Sequence, residues 1–137
     1  MKSITVETTI TCDIETVWNS FTLPEHIVKW YQASEDWHCP KATNDLRVGG
    51  TFVFTMASKD GANGFDFTGT YTTVEQYKTI EYAIVDGRKV TITFERVDED
   101  STKVIETFEM ESTHTEEQQK QGWQAILDSL KRYTESN

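Results

Sequence analysis

The sequence predicts an α+β fold, a curved antiparallel β-sheet packed around one long C-terminal α-helix, with two short helices after the first strand. Three observations carry that expectation. Apolar and polar residues alternate in run after run between Thr51 and Met110, with turn residues between the runs. The chain then closes on a helical stripe, Trp123, Ile126, Leu127, Leu130 and Tyr133, at three- and four-residue steps. A charged, glycine-paired turn, Asp45-Leu46-Arg47-Val48-Gly49-Gly50, opens directly into the aromatic strand Thr51-Phe52-Val53-Phe54.

Taken in order, the first strand reads from about Ser3 to Thr11, with Ile4, Val6, Thr8 and Ile10 on one face. Asp13 is an N-cap residue, and Val17, Trp18 and Phe21 behind it form a short amphipathic helix. Pro24 stands at a first-turn position and restarts helical structure, for which Ile27, Val28, Trp30 and Tyr31 supply the apolar face. Residues 32–46 show no period and read as an irregular connection carrying Trp37, His38 and Pro40. Five alternating runs follow. Phe52, Phe54 and Met56 share one face of the first; Phe65, Phe67 and Tyr71 share one face of the second, after a Lys59-Asp60-Gly61 turn. Ile80, Tyr82 and Ile84 lead to Asp86-Gly87, a hairpin signal, and Val90, Ile92 and Phe94 pair with Thr102, Val104, Phe108 and Met110 across Asp98-Glu99-Asp100. The outward positions are rich in Thr, Glu and Lys, as in an antiparallel sheet wet on one side. The last helix runs from about Thr115 to Thr134, roughly 30 Å at 1.5 Å per residue. Thr115 with Gln118 fits a capping box, and so does Thr113 with Glu116.

At 137 residues the chain is expected to form one domain, 1–137, with a core that needs no staples. Aromatics make up 12% of it, so the core is bulky. The formal net charge is −10, from 23 acidic and 13 basic residues, which repels polyanions and argues against nucleic acid or an anionic membrane as partner. No run approaches the roughly 18 apolar residues of a membrane helix. The N-terminal segment carries no secretory-type apolar stretch, so cytoplasmic residence is expected. Cys12 and Cys39 have no metal-ligand spacing and read as free, reduced thiols. His26, His38 and His114 are scattered over a helix, a loop and a strand end, so no metal site is expected.

Local residues sharpen the fold. Val17-Trp18, Pro24-Glu25 with Trp30, Leu46-Arg47-Val48-Gly49-Gly50, Gly69-Thr70-Tyr71, Ile80-Glu81-Tyr82, Thr91-Ile92-Thr93-Phe94 and Gly122-Trp123-Gln124-Ala125-Ile126-Leu127-Asp128-Ser129-Leu130 together resemble the AHSA-type branch of the START-like (SRPBCC) superfamily. That branch is named for a domain of the heat-shock-protein-90 ATPase activator. The resemblance spans nearly the whole chain. It implies the helix-grip fold and a hydrophobic small molecule held between sheet and long helix, without a cofactor. Its alternatives are a co-chaperone-like module that stimulates a heat-shock ATPase, and a cyclase- or hydrolase-like enzyme using the same cavity.

The candidate ligand contacts follow from both readings. Trp18, Trp30, Trp37, Phe54, Phe67, Tyr82, Phe94, Phe108 and Trp123, with Leu127, are expected to face inward, where they either line an apolar cavity or fill it with their own bulk. Arg47 either fixes a ligand carboxylate at the cavity mouth or pairs with a nearby acid to hold its turn. Arg47 and Tyr82 are the expected polar contacts, and ligand access is expected through movement of residues 33–44. No catalytic residue is assigned. Glu106 shares its parity with Val104 and Phe108, so it points inward unless a bulge turns it out, and an inward carboxylate has a raised pKa unless Arg47 or Arg96 neutralises it. Asp66 is the other strand carboxylate weighed as an acid or base.

Overall fold

The computed structural model describes residues 2–136. The elements run β1 (Ser3–Ile10), α1 (Ile14–Thr22), α2 (Pro24–Trp30), β2 (Trp37–Asn44), β3 (Thr51–Ser58), β4 (Gly64–Glu75), β5 (Thr79–Ile84), β6 (Lys89–Asp98), β7 (Ser101–Glu109) and α3 (Glu116–Glu135). The strands form one antiparallel sheet in the order β1-β7-β6-β5-β4-β3-β2. Register shifts between Tyr71 and Thr73, and again between His38 and Lys41, are irregularities of the kind that bend a sheet.

One expectation is corrected. Residues 32–46 are not an irregular connection: Trp37–Asn44 is an edge strand paired with β3 from Trp37↔Ser58 to Asn44↔Phe52. Its alternation is hidden because the register shifts between His38 and Lys41, where Pro40 sits, a residue that an edge strand tolerates because it lacks a ladder donor. The irregular part shrinks to a short turn after Tyr31.

The glycine pair does two jobs. Gly49 takes φ +85°, a left-handed conformation that side chains resist. At Gly50 an added Cβ would lie 2.1 Å from the Asp45 carbonyl oxygen, so no other residue fits. The pair is bound to β4 by Gly49 N–H to the Tyr71 carbonyl (2.8 Å) and Tyr71 N–H to the Gly50 carbonyl (2.9 Å).

The helices are tied to one another through Trp30. Its indole N–H donates to the Ser20 carbonyl at 2.8 Å, and its carbonyl accepts from the Ser129 hydroxyl at 2.6 Å. The capping box on α3 is Thr115 with Gln118: the Thr115 hydroxyl oxygen accepts from Gln118 N–H at 3.1 Å, and the Gln118 side-chain oxygen accepts from Thr115 N–H at 3.0 Å. Beneath the helix the inner sheet face is apolar, with Ile4, Val6 and Ile10 of β1, Val104 and Phe108 of β7, Val90, Ile92 and Phe94 of β6, and Leu127 and Leu130 of α3 all buried. The outer face carries threonine and carboxylate pairs such as Thr5–Thr107 (3.0 Å) and Thr55–Asp66 (2.9 Å). No helix among the described residues is long and apolar enough to cross a membrane.

Candidate functional site

The inner sheet face is filled beneath Leu127 and Leu130 of α3 and open beside Trp123 and Ile126. There a cavity of about 390 Å³ is walled by Tyr31, Ala33 and Ser34 after α2, Trp37 of β2, Met56 of β3, Phe65 and Phe67 of β4, and Trp123 and Ile126 of α3. The rings meet tilted, edge to face or stacked: Trp37 lies 5.9 Å from Phe65, Phe67 lies 6.3 Å from Trp123 at 80°, and Tyr31 lies 6.2 Å from Phe67 at 28°. Trp123 is held in place from behind, stacked on Phe108 at 4.2 Å and 12°. Phe65 is 56% exposed, an unusual position for a phenylalanine and explained by the open space it faces.

Tyr31 is also the partition to a second, inner void of about 20 Å³ between Phe52, Phe54, Tyr71, Ile80 and Tyr82, room for about one water. Near this inner end lies Glu106. On β7 burial alternates without a break, and Glu106 occupies a buried position between Val104 and Phe108, opposite Val6 on β1 and Ile92 on β6. It is 4% exposed. Desolvation pushes its carboxyl pKa up to about 8. Neither candidate arginine neutralises it: Arg47 is bound to Asp45, and Arg96 is on an exposed stretch of β6. The groups electrostatically in touch with Glu106 are Tyr31 and Tyr82, whose own phenols are raised well above the ordinary value, chiefly by burial.

A family model described as "Activator of Hsp90 ATPase homolog 1-like protein" matches residues 11–135. The chain belongs to this family. Solved relatives agree. An AHSA1-like protein of Aeromonas hydrophila, determined in solution, is 45% identical, with 98% of this chain and 93% of that one covered and a TM-score of 0.91. A protein of Cytophaga hutchinsonii is 52% identical over the same shares, with a TM-score of 0.84. A Chromobacterium violaceum protein at 22% identity superposes over the full length of both chains with a TM-score of 0.87, which bears on the fold alone. No curated protein matches the chain. The helix-grip, START-like fold expected from the sequence is the fold of this activator-homologue-like chain.

Of the expected ligand contacts, the structure brings Trp37, Phe67 and Trp123 to the cavity wall. Phe54 and Tyr82 line the inner void. Trp18, Trp30, Phe94, Phe108 and Leu127 are core: Trp18 meets Phe94 at 5.0 Å, and none of the five faces the cavity. Arg47 lies outside it. Its guanidinium Nε bonds Asp45 at 2.9 Å with the side chain 74% exposed, so it holds the turn before β3. Asp66 faces outward, accepting from Thr55. His26 pairs with the Tyr133 hydroxyl at 2.6 Å and His114 with Glu111 at 3.0 Å. Both cysteines are free thiols, and burial pushes Cys39 up to about 11. The expected route of access through residues 33–44 is also revised, because most of that stretch is paired strand and only its start, Ala33 and Ser34, borders the cavity.

Among the wall residues that the expectation omitted, Tyr31, Met56, Phe65 and Ile126 all carried a signal, since each falls in phase on an inward face. Ala33 and Ser34 carried none. They line the cavity only because the turn after α2 passes over it.

Proposed function

We propose that this chain is a binding protein that holds an apolar or amphipathic small molecule in the cavity between α3 and the inner sheet face. The observation that carries this is the cavity itself: about 390 Å³ of space walled by five aromatic rings, within the roughly 300–1,000 Å³ of small-molecule sites. Its wall also includes ring surface, Phe65 above all, that a protein without an occupant exposes to water at a cost. Native mass spectrometry of gently purified protein, set against its denatured mass, tests the reading. A discrete non-covalent adduct that disappears in Phe65→Ser supports it. Addition of apolar aromatic compounds at millimolar concentration with no bound species, and no shifted amide signals around Trp37, Phe67 and Trp123, refutes it.

The family description favours a second reading, in which the chain stimulates a heat-shock ATPase through its outer surface. That reading needs no cavity. A measured ATPase rate of the chaperone, unchanged by the added chain at several-fold excess, counts against it.

A further inference from the structure

We infer that the small molecule is an aromatic ammonium ion, its ring in the aromatic cavity and its charged end met by the Glu106 carboxylate, with the Tyr31 and Tyr82 hydroxyl oxygens beside it. The inference rests on the binding reading above and names its ligand class.

Four observations converge. Glu106 is a carboxyl in a position where the strand pattern asks for a Val or Leu, flanked by Val6 and Ile92. Burying it there costs stability unless a cation or a full set of donors meets it, and among the described residues it forms no ion pair. It is linked to the cavity wall through two neighbours. Phe108, two residues along the same face, stacks on the wall residue Trp123, and the wall residue Tyr31 is in electrostatic contact with Glu106. The wall is made of ring faces and edges, and ring faces attract cations. No Lys or Arg is on that wall, and the chain carries a formal charge of −10, so a cation is drawn toward the site and a carboxylate ligand is repelled.

The groups around Glu106 leave the cationic role to a ligand. Tyr31, from the end of α2, and Tyr82, from β5, are buried phenols held neutral; Tyr71 and Cys39, which act on Tyr31 electrostatically, are held neutral too. β1 and β6 present Val6 and Ile92, and α3 buries Gln119, Leu127, Ser129, Leu130 and Thr134, none of them charged, with Trp123 half-buried beside them. With no cation nearby the free protein keeps Glu106 protonated at neutral pH. Binding an ammonium ion then expels the carboxyl proton to solvent: one positive charge enters and one leaves. Affinity for the cation therefore rises with pH, by up to about tenfold per pH unit, until the free carboxyl itself ionises.

The experiment is a titration of the full chain with naphthylmethylamine, naphthylmethanol and naphthoate, followed by amide NMR shifts or calorimetry from about pH 6 to about pH 7.5, where the amine stays charged. The expected result is that the ammonium compound binds at least tenfold more tightly than the carboxylate. Its affinity should climb with pH while that of the alcohol stays flat. In Glu106→Gln, whose fold is checked by its thermal midpoint, the climb should vanish while the alcohol still binds; Tyr31→Phe should weaken only the ammonium compound. If the alcohol binds but the ammonium compound shows neither preference nor pH dependence, the ligand class is overturned and the binding reading survives. A pH climb that persists in Glu106→Gln overturns the assignment to Glu106. If none of the three binds, both readings fall together.

Discussion

Replacing Glu106 by Gln is expected to stabilise the protein at neutral pH and to remove a slope from its stability–pH curve. The folded carboxyl titrates at about 8 against an ordinary 4.5, so between those values the native state holds a proton that the unfolded state has released. Stability falls with rising pH wherever the native state binds more protons, at about 1.4 kcal/mol for each pH unit. The contribution is fully present below pH 4.5. By pH 7 about 3 kcal/mol of it has been lost, and by pH 8 about 4 kcal/mol. For a domain of this size that is a large share of the whole. Gln keeps the shape of the neutral acid and cannot ionise, so its curve lacks the slope. Every other titratable group is common to both proteins, so its contribution cancels in the difference. The acids held below their ordinary range, Asp60, Asp86, Glu111 and Glu135, act at lower pH and cancel too. Urea unfolding at intervals from pH 4.5 to 8 measures the difference, and the readout is its change with pH rather than its offset. Two parallel curves would refute the reasoning, for they would mean that Glu106 is solvated or paired in the native state.

Two further substitutions test the framework around the site. Phe94→Ala removes a ring buried between Trp18 and Phe21 and should cost about 3–5 kcal/mol in urea unfolding, with no change in the cavity's lining. Gly50→Ala places a methyl group against the Asp45 carbonyl and should lower the thermal midpoint by many degrees, whereas Arg47→Ala should leave it unchanged because that ion pair is open to water.

The fold was legible in the sequence because its signals are local and repeated. Strand alternation, the Asp13 and Thr115 caps and the stripe from Trp123 to Tyr133 each report a face or an end without reference to distant residues. β2 was not legible, since the register shift beside Pro40 interrupts the alternation within eight residues and pairing with β3 supplies what the local pattern lacks. The site was legible in kind and not in detail. Parity alone sent Glu106 inward, and its burial follows. Yet parity cannot separate Phe108, sealed behind Trp123, from Phe65, left on an open wall, because that depends on how far α3 stands from each strand. Arg47 shows a related limit: the sequence left open a ligand contact or a pair with a nearby acid, and the structure has its guanidinium bonded to Asp45, two residues away, within its own turn.

The two functional readings make opposite demands on the cavity, and one substitution separates them. Ile126 lies half-buried on the wall, facing about 390 Å³ of space. A tryptophan there adds a ring to that space without displacing a buried neighbour, so Ile126→Trp should hold or raise the thermal midpoint, as cavity-filling changes commonly do. Binding of naphthylmethanol should be lost at the same time. If the protein works through its cavity, its cellular role is lost with the ligand; if it works on a chaperone through its outer face, stimulation of the ATPase should survive the filling intact. A variant that is stable, ligand-free and still stimulates would end the binding reading as the explanation of function. A sharp loss of stability in Ile126→Trp would instead mean that the space between α3 and β4 is already closed in solution, and the cavity argument would fail at its first step.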